Sequence, residues 1–280
     1  MNPLEKIVWK LIINGSLTEQ PGLFYGKTGI AVFFFHYTQY TGNELFREYA
    51  MDLIEETQKQ ISDTFTNRYD IGLSGIGVGF EYFLQNGFLG AENDNIFDDL
   101  DDRMYHTVMN GQYSNLSLCE GLTGLGRYFL YRLNGNCNKD SRLHEALTYI
   151  ANEITHRIYN DTVPENEKYD VYRFLCDLSK TNGYTGKYDA FLHLCKKWNC
   201  LIEPDNQTII PHMNNLQRLY SYQNYFHIDF TEKISLEWEN RKSTDNSSTD
   251  NIGLLNGWTS EALLHLTFSN NINTSWINLL

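Results

Sequence analysis

Apolar residues fall into two patterns along this chain. In the first, a single stripe recurs at helical spacing. Leu4, Ile7, Val8, Leu11 and Ile12 form one such stripe, closed by Asn14-Gly15. Leu45, Tyr49, Leu53 and Ile54 form a second, and Leu143, Leu147, Ile150, Ile154 and Ile158 a third, opened by Ser141 as a cap. In the second pattern the residues are apolar around most of the helix circumference, as in Ile30 to Tyr37 and Leu125 to Leu133. Such a segment predicts a helix buried on every side.

The buried helices follow glycine turns of the form G-x-[ST]-G. They are Gly26 to Gly29 (YGKTGIAVFFF), Gly72 to Gly75 (GLSGIGVGFEYFL), Gly121 to Gly124 (GLTGLGRYFLYRL) and Gly183 to Gly186 (GYTGKYDAFLHL). A fifth, Gly257 to Ser260 (GLLNGWTSEALLHL), keeps the frame with Ser in the last place. A repeat of about 50 residues that alternates buried and one-faced helices describes stacked helical hairpins, inner helices towards a centre and outer ones towards water. The expectation is an all-α fold, an α/α toroid (barrel) of about five to six hairpins, over one domain spanning residues 1–280. From Asn199 to Asn251 the pattern breaks. Phe226, Ile228 and Phe230, then Ile234, Leu236 and Trp238, alternate with polar residues and predict a small β-hairpin insertion near 224–240. Arg241 to Asn251 reads as a polar loop.

Composition sets bounds on partners. The 280 residues are 41% hydrophobic and 14% aromatic, enough for a sizeable core, which excludes a disordered chain. The net charge is -13. That field repels phosphate backbones and anionic lipid, so neither nucleic acid nor a membrane is expected as a partner, whereas basic peptides or neutral ligands suit it. No apolar run has the length of a membrane span, and Glu5, Lys6 and Lys10 interrupt the N-terminal apolar residues, so no signal peptide is expected. Five scattered cysteines (Cys119, Cys137, Cys176, Cys195 and Cys200) with no CxxC point to a reduced, cytoplasmic setting.

The strings GLFYGKTGIAVFFF, IGLSGIGVGFEYFL, LCEGLTGLGRYFLYRL and GLLNGWTSEALLHL resemble the repeat turns of the lanthionine synthetase C-like (LanC-like) family, across residues 22 to 268. The resemblance implies a toroid with a central site at the N-terminal ends of its inner helices. It also implies a role in lanthionine, or thioether-type, peptide maturation. Family cyclases hold zinc with two cysteines and one histidine. The metal activates a peptide cysteine thiolate, which adds to a dehydrated residue and closes a thioether ring. The family's W-C-Y-G and C-H-G turns are absent from this chain.

Two registers against the family pattern remain. In one, the third turn is an early repeat, Cys119 takes an aliphatic position, and the later turns bring Asn182 and Asn256 with no metal ligand; the closer match of LCEGLTGL to that repeat favours it. In the other, Asp70, Cys119 and Glu120 stand where the ligands belong, a harder donor set than zinc sites of this kind use. In either, Tyr25, Lys27, Asp70, Cys119, Glu120, Asn182, Tyr184, Asn256 and Trp258 rim one cavity as binding candidates. Glu120 and His212 are the candidates for acid chemistry. The bland alternatives are that Asp70 and Glu120 cap their turns and that Cys119 packs as a small hydrophobe.

Other features weigh less. His36 and His193 lie too far along their helices to reach the rim. The aspartates of NDNIFDDLDDR (Asp94, Asp98, Asp99, Asp101, Asp102) share a helix with Ile96, Phe97, Leu100 and Met104, which predicts a solvated outer face. There is no Walker A loop, no G-x-S-x-G and no H-E-x-x-H. Three functions compete: a member that binds a precursor peptide or a modifying enzyme without zinc, an active cyclase with the altered set Asp70, Cys119 and Glu120, and a carbohydrate-active toroid using Asp70 and Glu120.

Overall fold

A computed structural model describes residues 2–62, 65–90, 97–135, 140–198, 213–243, 251–269 and 271–280, and these contain helices and no strand. Cys137, Cys200, Asp94, Ile96 and His212 lie outside the described residues, as does most of the loop expected over 241–251. Contacts divide the chain into two units: residues 1–64 with 212–280, and residues 65–211.

In the first unit, α1 (Pro3–Leu17) opens on a capping box. The Asn2 side chain accepts from the Glu5 amide while the Glu5 carboxylate accepts from the Asn2 amide. The helix does not stop at Asn14-Gly15. Gly15 is buried within it because the Tyr49 hydroxyl lies where a Cβ would be, so this glycine serves close packing rather than termination. The helix α2 (Lys27–Thr41) is buried from Lys27 to Thr38, as its all-round apolar sequence requires. It ends at Gly42, φ 68, a left-handed stop that turns the chain into α3 (Glu44–Gln60). The stripe Ala50, Leu53, Ile54 and Thr57 seats α3 on α2. From the far end of the chain, α12 (Trp258–Phe268) packs on both α1 and α2.

The expected β-hairpin is instead a pair of helices, α10 (Asn215–Phe226) and α11 (Thr231–Ser243), packed together. Asn214 and Gln217 form a capping box on α10, and His227 ends it in the left-handed region at φ 55. The alternation is a coincidence of two short windows. Phe226, Ile228 and Phe230 straddle the helix end, and in α11 Ile234 and Trp238 are buried four residues apart while Leu236 is exposed.

In the second unit, α4 (Leu73–Gln85), α6 (Leu122–Asn134) and α8 (Lys168–Lys180) are the buried helices. The others are α5 (Asp98–Asn110), α7 (Ser141–Tyr159) and the short α9 (Asp189–Cys195). Close packing explains two helical glycines. A Cβ on Gly77 would run into the Tyr128 ring, and one on Gly126 into Phe174, so α4, α6 and α8 approach only because those positions are bare. The cap of α7 is Asp140, whose side chain accepts from the Arg142 amide, with Ser141 the first helical residue.

Two further expectations change here. Gly183 and Gly186 both have positive φ, 86 and 78, so the fourth turn winds through a left-handed path. It opens no inner helix, and the buried helix of that repeat, α8, precedes it. The acidic helix α5 does turn Asp99 and Asp102 outward, but Asp101 is buried. It accepts from Tyr128 and from Arg132 Nε (3.1 Å) and a terminal nitrogen (2.8 Å), while Arg132 also reaches Glu81 at 2.7 Å. Burial and the adjoining Asp101 carboxylate hold the Tyr128 phenol well above its ordinary pKa.

Candidate functional site

Four of the five turns share one backbone design. The residue after the first glycine donates its amide to a carbonyl seven residues earlier: Lys27 to Gln20 (2.9 Å), Leu73 to Thr66 (2.9 Å), Leu122 to Asn115 (3.1 Å) and Trp258 to Asn251 (2.9 Å). This folds the loop back over the helix start. A Cβ on Gly26, Gly72, Gly121 or Gly257 would collide with loop backbone, which is why glycine stands there. The next hydroxyl closes the loop in three cases, with Thr28 donating to Pro21 (2.6 Å), Thr123 to Leu116 (2.7 Å) and Thr259 to Ile252 (2.5 Å). Ser74 is the exception, its buried hydroxyl lacking a partner. Each loop delivers the two residues before its glycine to the N-terminal end of a buried helix, the positive end of the helix dipole.

In the second unit those pairs are Asp70-Ile71 and Cys119-Glu120. The two loops are bridged by the Tyr69 amide donating to the Cys119 carbonyl at 2.9 Å. Between them sits Arg68, which the sequence patterns gave no reason to single out. Its Nε and one terminal nitrogen bind the two Asp70 oxygens at 2.9 and 2.6 Å, and the other terminal nitrogen pairs with Glu120. Asp70 also accepts from the Ile71 amide at 3.0 Å, and is buried, whereas Glu120 is exposed. The hydrogen bonds it donates to Asp70 hold the Arg68 guanidinium above its ordinary pKa. The Cys119 thiol is pushed up to about 12, first by burial and then by the carboxylates of Asp70 and Asp170. Asp170 accepts from the Leu118 amide (2.8 Å) and Glu167 from that of Leu116 (2.9 Å), so the start of α8 fixes the loop carrying Cys119 and Glu120. Burial raises the Asp170 pKa.

The remaining candidates divide between the units. Asn182 is exposed beside its left-handed turn, and Tyr184 is buried against α7, its hydroxyl donating to the His144 carbonyl at 3.0 Å. In the first unit Lys27 is buried and turned onto α3, pairing with Glu56 at 2.6 Å. Tyr25 is half-buried and Asn256 exposed at φ 53. The Trp258 ring carries the Lys10 ammonium 4.6 Å from its centre, and its indole N–H is buried without an acceptor. Tyr25, Asn256 and Trp258 therefore gather at adjoining turns, joined by the Leu255 amide donating to the Phe24 carbonyl at 3.2 Å.

Residues 19–173, more than half of the chain, match the family model described as lanthionine synthetase C-like protein. The chain belongs to that family. Among solved structures this family member is similar to nisin cyclase, with a TM-score of 0.59 and 15% identity over 99% of this chain and 83% of that one. The likeness shows the fold class expected from the turns, an all-α toroid. No curated protein sequence matches the chain. Among the described residues no helix is long and apolar enough to cross a membrane, and no group of three or more His, Cys, Asp or Glu side chains is arranged to hold a metal ion.

Proposed function

We propose that this LanC-like protein serves thioether-type peptide maturation by binding a peptide at its turn apices, as a partner of a modifying enzyme rather than as a zinc cyclase. Family membership supports the peptide pathway. The observation that carries the division of labour is the state of Asp70, Cys119 and Glu120. These residues do not fit a zinc ion of the kind the family resemblance implies: both carboxylates are held on Arg68, which already supplies a cation between them, and the set holds one cysteine and no histidine. The same pairing engages both carboxylates that the carbohydrate-active reading would use. In the first unit, exposed Asn256 and half-buried Tyr25 and Trp258, with the net charge of -13, suit a peptide with basic side chains.

The test is a pair of assays on the purified full chain. Fluorescence anisotropy with a labelled basic peptide containing cysteine and dehydroalanine reads binding, and mass spectrometry after thiol alkylation reads ring closure. Saturable binding weakened by Trp258→Ala, with the cysteine still alkylatable, is expected. Ring closure at catalytic rates by the purified chain would overturn the accessory role, and no binding would overturn the peptide reading.

A further inference from the structure

In each unit a main-chain hydrogen bond joins the two loops, and in unit 2 a charged cluster is added to it. In unit 1 the bridge from Leu255 to Phe24 is made between two buried hydrophobic residues. In unit 2 the corresponding bridge, Tyr69 to Cys119, runs beside Arg68, Asp70 and Glu120. We infer that Arg68 is the resident cation of the unit-2 turn apex, clasping the loop before α4 to the loop before α6 and filling the role a metal ion would take between such donors.

The geometry supports this at three points. A guanidinium is planar and presents parallel donors, so it can bind both Asp70 oxygens while a further nitrogen reaches Glu120 on the other loop. One cation between two carboxylates is the charge arrangement of a small metal site, here made by a side chain that stays protonated at any pH the protein survives. Asp70 is fully committed, with the Ile71 amide completing its hydrogen bonds. A chelator therefore has nothing to remove, and the junction is independent of metal supply. The inference does not depend on which ligand the turns accept.

The readout is hydrogen exchange at the Tyr69 amide, whose bond to Cys119 is the bridge itself, followed by NMR on the full chain. In Arg68→Met it is expected to exchange at least tenfold faster than in the wild type, while the Leu53 and Ile54 amides of α3 are unchanged. Arg68→Lys, which keeps the charge and loses the fork, is expected to fall between. Chelator treatment of the wild type is expected to change nothing. Should Arg68→Met fail to fold, Glu120→Gln, at an exposed position, is expected to speed Tyr69 exchange about threefold. An unchanged Tyr69 rate in these variants would overturn the inference. So would stoichiometric zinc in the wild type, by elemental mass spectrometry, that is lost in Asp70→Asn.

Discussion

Arg132→Met is the most exacting test of how the second unit is held together. The arginine is 2% exposed, lies over the Phe97 ring at 3.7 Å, and is the cation paired with both Glu81 and Asp101. Burial alone would lower its pKa, yet the Asp101 and Glu81 carboxylates hold it above the ordinary value, so the pairing outweighs the desolvation. Methionine keeps much of the stem's packing and removes the charge that pairs with the two buried carboxylates on α4 and α5. Breaking a buried pair in this way costs about 3–5 kcal/mol, a large part of the ~5–15 kcal/mol that holds a typical domain folded. Urea unfolding followed by circular dichroism at pH 7.5 should show that loss. Adding Glu81→Gln to the variant should recover part of the loss at pH 7.5. A cost below about 1 kcal/mol at pH 7.5 would refute a compensating role for Arg132.

Three further outcomes are expected. Gly121→Ala should destabilise strongly and lower the thermal midpoint more than Gly42→Ala, because the new Cβ meets the Asn115 carbonyl at 2.5 Å whereas at Gly42, φ 68, it meets open space and costs only the strain of the left-handed backbone; equal shifts would count against backbone close approach as the reason for the turn glycines. Cys119, with its pKa pushed up to about 12, should react with iodoacetamide at pH 8 far more slowly than an unperturbed thiol, as read by peptide mapping; rapid labelling would contradict the assigned environment. Burial lowers the His36 pKa from 6.5 to about 4, so the unfolded chain binds the extra proton first and stability drains away as pH falls between those values, by roughly 3 kcal/mol. His36→Leu should flatten that part of the stability profile, and an unaltered profile would place the pH sensitivity elsewhere.

The parts of the fold that could be read from the sequence are those where one residue type answers one backbone demand. A glycine with loop backbone against its α-carbon, followed by a hydroxyl that closes the loop, leaves a short and repeated mark, and the apolar run behind it has nowhere to go but inside. The family resemblance rests on the same marks. The fourth turn carries the mark without the geometry, since nothing in GYTG announces that both glycines take positive φ. The α10–α11 pair was hidden because two short windows mimic alternation, and only burial at Ile234 and Trp238 distinguishes them from strand. Arg68 and Asp101 were missed for a different reason. Their meaning depends on Glu120 and Arg132, 52 and 31 positions away, and a local pattern has no access to a partner at that separation.

Because these turns are fixed by a main-chain bond seven residues back and by a bare α-carbon, the backbone follows one path whichever two side chains stand ahead of the glycine. Those positions hold Phe24-Tyr25, Asp70-Ile71, Cys119-Glu120 and Leu255-Asn256 in this one chain. Aromatic, acidic, thiol and amide groups thus occupy the same mounting. Such a mounting lets descendants of one scaffold exchange their reactive groups independently of their architecture, so loss or replacement of one chemistry leaves the frame intact for another.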